Sequence, residues 1–221
     1  MIKRIPKIHF ITQEHPNKTH LDQAQEACSA GAELVQLRIK NESKSKIIDV
    51  ALKIKNVCDY HGSTFIINDY IDIALETNAD GVHLGNQDPS HELAREILGP
   101  DKIIGGTAYN SEELNFHNSN KLVDYIGLGN YRKSATKPEI KQFHSLASIK
   151  FLIDSLREKY ENPIPLLVIG GIRKEDVKPL IRTGLYGIAI SSLINDSTDK
   201  KKTFIQLRSL GLSGESGILN K

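Results

Sequence analysis

The stretch from Leu34 to Asp69, LVQLRIKNESKSKIIDVALKIKNVCDYHGSTFIIND, contains a complete strand, helix and strand in succession. Leu34 to Leu37 is a short apolar run. From Ser43 to Tyr60 the spacing changes: Ile47, Val50, Ala51, Ile54, Val57 and Cys58 recur on one stripe of a helix. Ser43 can cap the start of that helix, and Gly62 stands just beyond its end. Thr64 to Ile67 is then a second apolar run. A helical crossover brings the chain back to the same edge of a sheet, so strands joined in this way pair in parallel.

The same alternation runs outward in both directions. Further strands are predicted at Ile8 to Thr12, Gly81 to Leu84, Lys102 to Gly105, Tyr125 to Leu128, Leu166 to Ile169 and Gly187 to Ile190. Helices are predicted at Asp22 to Ala30, Ile71 to Asn78, His91 to Leu98, Ser111 to Phe116, Ser145 to Tyr160, Lys174 to Thr183 and Lys201 to Leu210. Eight such units in a chain of 221 residues fit a single α/β domain, a (β/α)8 TIM barrel with parallel strands, near the short limit of that architecture. An open doubly wound sheet is the rival. The barrel is expected to occupy residues 1–210, and residues 211–221, rich in Gly and Ser, are expected to form a flexible tail.

Composition narrows the function. Lysine plus arginine number 29 against 27 aspartates and glutamates, so a net charge of +2 gives no general field for nucleic acid or an anionic membrane. Anion binding must therefore be local. Cys28 and Cys58 lack the spacing of a zinc site or a redox pair, and read as buried thiols in a reducing compartment. The start lacks the apolar run of a signal peptide, and no segment reaches the roughly 18 apolar residues of a membrane span. The expectation is a soluble cytoplasmic protein, with a homodimer as the base-rate oligomer.

In a parallel barrel, reactive groups gather just past the carboxyl ends of the strands. Gln36, Arg38 and Lys40 share a parity there and point one way if the chain stays extended. Asn68 and Asp69 end the third strand, and Asp88 follows the fourth. Asn and Asp at either site are also ordinary loop openers and helix caps. Together, and beside two cations, the carboxylates fit a Mg2+ site completed by water and substrate phosphate. His83 reads as a hydrogen-bonded core histidine. The loop Gly129 to Lys137 carries Arg132, Lys133, Ser134, Thr136 and Lys137, which suits a diphosphate or a plain surface loop. Gly170-Gly171-Ile172 and Ser191-Ser192 end the last two strands, where many barrels cradle phosphate on backbone N–H groups. Two anion sites in one mouth ask for two phosphorylated substrates.

The chain resembles the thiamine phosphate synthase family. The resemblance runs in order through Val35-Gln36-Leu37-Arg38-Ile39-Lys40, Ile67-Asn68-Asp69, Asp80-Gly81-Val82-His83-Leu84-Gly85 with Asp88, Tyr125-Ile126-Gly127-Leu128-Gly129, Ser134-Ala135-Thr136-Lys137, Ile169-Gly170-Gly171-Ile172 and Gly187-Ile188-Ala189-Ile190-Ser191-Ser192. It implies an enzyme that transfers a pyrimidine methyl group from its diphosphate to a thiazole phosphate, with Mg2+ and loss of pyrophosphate. By the resemblance, Gln36, Arg38, Lys40 and Asn68 bind the aminopyrimidine diphosphate, and Asp69 and Asp88 hold Mg2+. Thr107 stands where the family usually has serine. Ser134, Thr136 and Lys137 reach the second phosphate and the departing pyrophosphate, while Gly171, Ser191 and Ser192 meet the thiazole phosphate. The implied reaction loses pyrophosphate first, and the thiazole nitrogen captures the pyrimidine cation. Arg38, Lys40 and Lys137 then act by balancing charge, and no activated nucleophile is needed.

Some positions depart from the family pattern. Tyr109 replaces a frequent histidine, Asn130 a usual proline and Ser134 a common threonine, while Arg132 and Lys133 fill a stretch often holding an aromatic residue and proline. Three other readings stay open: a thiazole tautomerase on the same barrel, which tends to lack the two aspartates; a non-catalytic thiamine-pathway binding protein; and a different phosphosugar barrel enzyme, which would use Gly170-Gly171 but has no evident need for the Asn68-Asp69 pair.

Overall fold

In the computed structural model, which describes residues 4–132 and 143–213, the unit around residue 50 forms as its spacing predicts. Strand β2 (Leu34–Leu37) leads into α2 (Lys44–His61) and then β3 (Thr64–Asn68). The Ser43 hydroxyl accepts from the Lys46 N–H at the helix start, and Gly62 ends it in a left-handed conformation with φ 68°. Ile47, Ala51, Ile54 and Cys58 are buried, while Val50 and Val57 flank them half-buried.

The remaining strands are β1 (Ile8–Ile11), β4 (Gly81–Leu84), β5 (Ile103–Ala108), β6 (Tyr125–Leu128), β7 (Leu166–Ile169) and β8 (Gly187–Ile190). All eight pair in parallel and in sequence order, and β8 closes onto β1 through Ile8–Ile188, His9–Ala189 and Phe10–Ile190. The fold is a single (β/α)8 barrel. The helices around it are α1 (His20–Ser29), α2, α3 (Ile71–Glu76), α4 (His91–Leu98), α5 (Ser111–Asn120), α6 (Leu146–Lys159), α7 (Lys174–Arg182), α8 (Ser192–Asn195) and α9 (Lys200–Leu207).

Two differences from the sequence reading have local causes. Strand β5 runs on to Ala108 through Gly105 and Gly106, where bare backbone lets neighbouring side chains close in from both faces. The four-residue α8 is too short to show a periodicity.

Strand residues are buried on both faces, as a parallel sheet wrapped in helices requires. Outward residues such as Val35, Phe65, Val82 and Ile104 pack against the helices in the larger core. Inward residues Leu34, Ile66, Ile103, Tyr125 and Leu167 meet Ile5 in a separate cluster that plugs one end of the barrel. The other end is left to polar residues.

Cys28 of α1 and Cys58 of α2 are both buried and free, and the fold brings their Sγ atoms to 3.9 Å. After α9 a wide turn, Arg208–Leu212, stays packed, with Leu212 fully buried. Residues 214–221 of the expected tail lie outside the described residues. No described helix is long and apolar enough to cross a membrane.

Candidate active site

Because side chains alternate along a strand, every second residue faces the barrel axis. Those residues converge. His9 and Ile11 of β1, Gln36 of β2, Asn68 of β3, His83 of β4, Thr107 of β5, Gly127 of β6, Ile169 of β7 and Ala189 of β8 all line one cavity of about 1240 Å³. Past the strand ends the lining continues through Arg38, Lys40, Asp69, Gly85, Asp88, Tyr109, Asn130 and His144. That volume exceeds the usual range for a single small ligand, about 300–1,000 Å³, and so has room for two.

The acidic side of the rim is built tightly. Gln36 Nε2 donates to Asn68 Oδ1 at 2.8 Å, which fixes both amides and leaves Gln36 an acceptor and Asn68 its donors for a ligand. Asp69 has φ 72°, a left-handed conformation that aspartate tolerates better than most residues. Its N–H donates to the His83 carbonyl at 2.9 Å, and its Oδ2 accepts from Lys40 Nζ at 2.6 Å. Asp88 Oδ2 accepts from the Gly85 N–H at 2.6 Å. Burial pushes the Asp88 carboxyl above the usual carboxylate range; the Gly85 N–H opposes that shift, and the adjoining Asp69 carboxylate adds to it. Two like charges thus share one edge of the cavity. Among the described residues, no three His, Cys, Asp or Glu side chains gather as a metal cluster, so these two carboxylates stand as a pair.

The floor is polar as well. His83 bonds the Tyr125 hydroxyl through Nδ1 and the Thr107 hydroxyl through Nε2, each at 3.0 Å. His9 stands edge-on to Tyr125 with ring centroids 4.6 Å apart, and its Nε2 has no hydrogen-bond partner among the described residues.

The family model described as thiamine monophosphate synthase matches residues 8–194. The chain belongs to that family. It is 37% identical over 200 residues to the thiamine-phosphate synthase of Flavobacterium johnsoniae, covering 90% of this chain and 93% of that one. The Pyrococcus abyssi thiamine-phosphate synthase is 35% identical over 205 residues, covering 92% and 94%. Among solved structures, the thiamine phosphate pyrophosphorylase of Pyrococcus furiosus superposes with a TM-score of 0.79 at 28% identity, covering 94% of this chain and 97% of that one.

Of the positions that the thiamine monophosphate synthase resemblance singled out, Gln36, Arg38, Lys40, Asn68, Asp69, Asp88 and Thr107 line the one cavity. Gly171, Ser191 and Ser192 are not part of its lining. They follow Ile169 and Ala189, which do line it, by two or three residues along the same rim. Lys133, Ser134, Thr136 and Lys137 lie outside the described residues. His83 is hydrogen-bonded, as expected of a core histidine, yet it also faces the cavity. Sequence reasoning missed His9, Phe143 and His144 as lining residues. The parity of His9 within the first apolar run could have revealed it. His144 carried no such signal, because it lies in a loop; its N–H donates to the Asn130 carbonyl at 2.9 Å and its Nε2 contacts the Tyr109 carbonyl at 3.0 Å.

One buried and one half-buried histidine, His9 and His91, give the fold an acid sensitivity. Burial, aided by His83, lowers the His9 pKa to about 3, and burial, aided by His117, lowers that of His91 to about 4. Both values fall below the unfolded value of 6.5, so the unfolded chain takes up protons first as pH drops. Their contribution to stability is complete above pH 6.5 and is lost progressively toward pH 3. Carboxylates with lowered pKa, such as Asp72 beside Lys44, add their own loss only at lower pH, as their unfolded values lie near 4. Urea unfolding should therefore show stability falling between pH 6.5 and 4.5, by more than 1 kcal/mol in order of magnitude. A flat profile across that window would contradict the assignment.

Proposed function

We propose that this chain joins an aminopyrimidine diphosphate to a thiazole phosphate, giving thiamine phosphate and pyrophosphate. One observation carries the reading: the Asp69 and Asp88 carboxylates stand side by side at the mouth of a cavity that also receives Arg38 and Lys40. Anionic groups paired beside cations serve a ligand that brings both phosphate and a metal ion.

The residues fit Mg2+. Two adjoining carboxylates, with no histidine or thiolate completing a metal cluster among the described residues, match a cation that takes one or two protein carboxylates and fills its shell with water and phosphate oxygen. Asp69 and Asp88 would hold the ion, whose chemistry is to neutralise charge on the diphosphate. Gln36 and Asn68 orient the aminopyrimidine by their free amide groups. Arg38, Lys40 and Lys137 balance the charge that develops as the bond between the pyrimidine methylene carbon and the diphosphate oxygen breaks, with its electron pair leaving on oxygen. The thiazole nitrogen lone pair then forms the new bond to that carbon. Ser134, Thr136 and the backbone N–H groups of Gly171, Ser191 and Ser192 hold the thiazole phosphate in line. Ile11, Leu167 and Ile169 supply the apolar part of the cavity wall.

The test is a coupled pyrophosphate assay on the full chain with Mg2+. Release is expected only with both substrates present. A chain that gains thermal protection from the pyrimidine diphosphate yet releases nothing would be a binding module instead.

A further inference from the structure

The Tyr125 side chain is 2% exposed and its hydroxyl has one hydrogen-bond partner among the described residues, His83 Nδ1 at 3.0 Å. A buried phenol keeps its proton, and burial raises the pKa of this one well above the ordinary value. That proton needs an acceptor, so Tyr125 donates and Nδ1 of His83 accepts. A neutral imidazole that accepts at Nδ1 carries its hydrogen on Nε2. Nε2 therefore donates to the Thr107 oxygen, also at 3.0 Å. With its oxygen engaged as an acceptor, the Thr107 hydroxyl proton is left for whatever fills the cavity that Thr107 lines.

The backbone is cut to suit this chain of bonds. Gly105 pairs with both His83 and Tyr125 in the barrel ladder. A Cβ at residue 105 would stand 2.6 Å from His83 Nδ1 and would overlap the Tyr125 hydroxyl, the two atoms that must meet. Only glycine leaves them room.

We propose that Tyr125 and His83 are positioning residues that fix the Thr107 hydroxyl as a hydrogen-bond donor into the cavity, so that the pocket selects a substrate ring presenting a bare ring nitrogen there. This rests on reading the cavity as the pyrimidine site. Both act through Thr107, to which their hydrogen bonds lead.

Two experiments test it. Long-range proton to nitrogen-15 correlation spectra of the full chain at neutral pH, without substrate, should show His83 protonated at Nε2 and bare at Nδ1. The opposite tautomer overturns the proposal, whether or not any variant folds and whatever the enzyme does. Steady-state kinetics then compare Tyr125→Phe, Thr107→Val and the double variant. Each single change should raise KM for the pyrimidine diphosphate about tenfold, with the double variant within about twofold of the worse single one. KM for the thiazole phosphate and inhibition by magnesium pyrophosphate should not move. Penalties that multiply, or a parallel loss of pyrophosphate binding, overturn the relay and leave only a structural role. A parent chain without turnover would instead refute the pyrimidine reading, while the tautomer result still judged the relay.

Discussion

Asp69→Asn is expected to slow pyrophosphate release by at least about a hundredfold, the effect of removing one fixed group that stabilises developing charge. Asparagine keeps the size of the side chain and tolerates the left-handed conformation that residue 69 adopts at φ 72°, so the rim should keep its shape. What disappears is one of the two anionic ligands proposed for Mg2+, and the partner of Lys40. The Lys40 to Asp69 pair is partly exposed, with 46% of the lysine side chain open to solvent, and such pairs contribute about 1 kcal/mol or less. Relief of the repulsion between Asp69 and Asp88 offsets part of even that. Stability should therefore change little while turnover collapses, and raising Mg2+ should recover some of the lost rate. Turnover close to that of the parent chain at every Mg2+ concentration would remove Asp69 from the reaction.

Gly81→Ala is expected to destabilise the fold by about 3 kcal/mol or more, against about 1 kcal/mol for Gly62→Ala. The comparison separates two reasons for glycine. At Gly62 a Cβ would meet nothing within 4 Å, and the only penalty is the left-handed backbone of a helix end. Gly81 has no such conformation. It sits in β4 between Ile66 and Ile103, and a Cβ there would overlap the Ile103 carbonyl, which is strand backbone and cannot swing aside. Urea denaturation of the two variants decides the matter; equal losses would mean that crowding inside the barrel is not what holds residue 81 to glycine.

The barrel was legible because each unit repeats one local signal. An amphipathic stripe such as Ile47, Ala51, Ile54 and Cys58 can be read without knowing any neighbour. The acidic half of the site was legible for a related reason: Gln36, Arg38, Asn68, Asp69 and Asp88 are polar residues at strand ends, where barrel geometry leaves one direction open. The contacts between strands were not legible. Nothing in the sequence around Gly105 announces that a tyrosine on β6 and a histidine on β4 meet over it. The apposition of Cys28 with Cys58 was hidden likewise, since it depends on how α1 and α2 rotate against each other across 30 residues of sequence. His144 came to the rim through a loop hydrogen bond that no periodicity encodes.

Those two thiols supply a probe that requires no engineering. They are the only cysteines in the chain, and both are sealed between the first two helices of the outer ring, with the Cys58 thiol pushed upward by its contact with Cys28 and by burial. An alkylating reagent can reach them only when that seam parts, so the rate of bulk thiol labelling counts openings of α1 from α2. Substrate held in the cavity should slow the labelling if the ring breathes as one unit with the barrel, and should leave it unchanged if the two helices separate on their own.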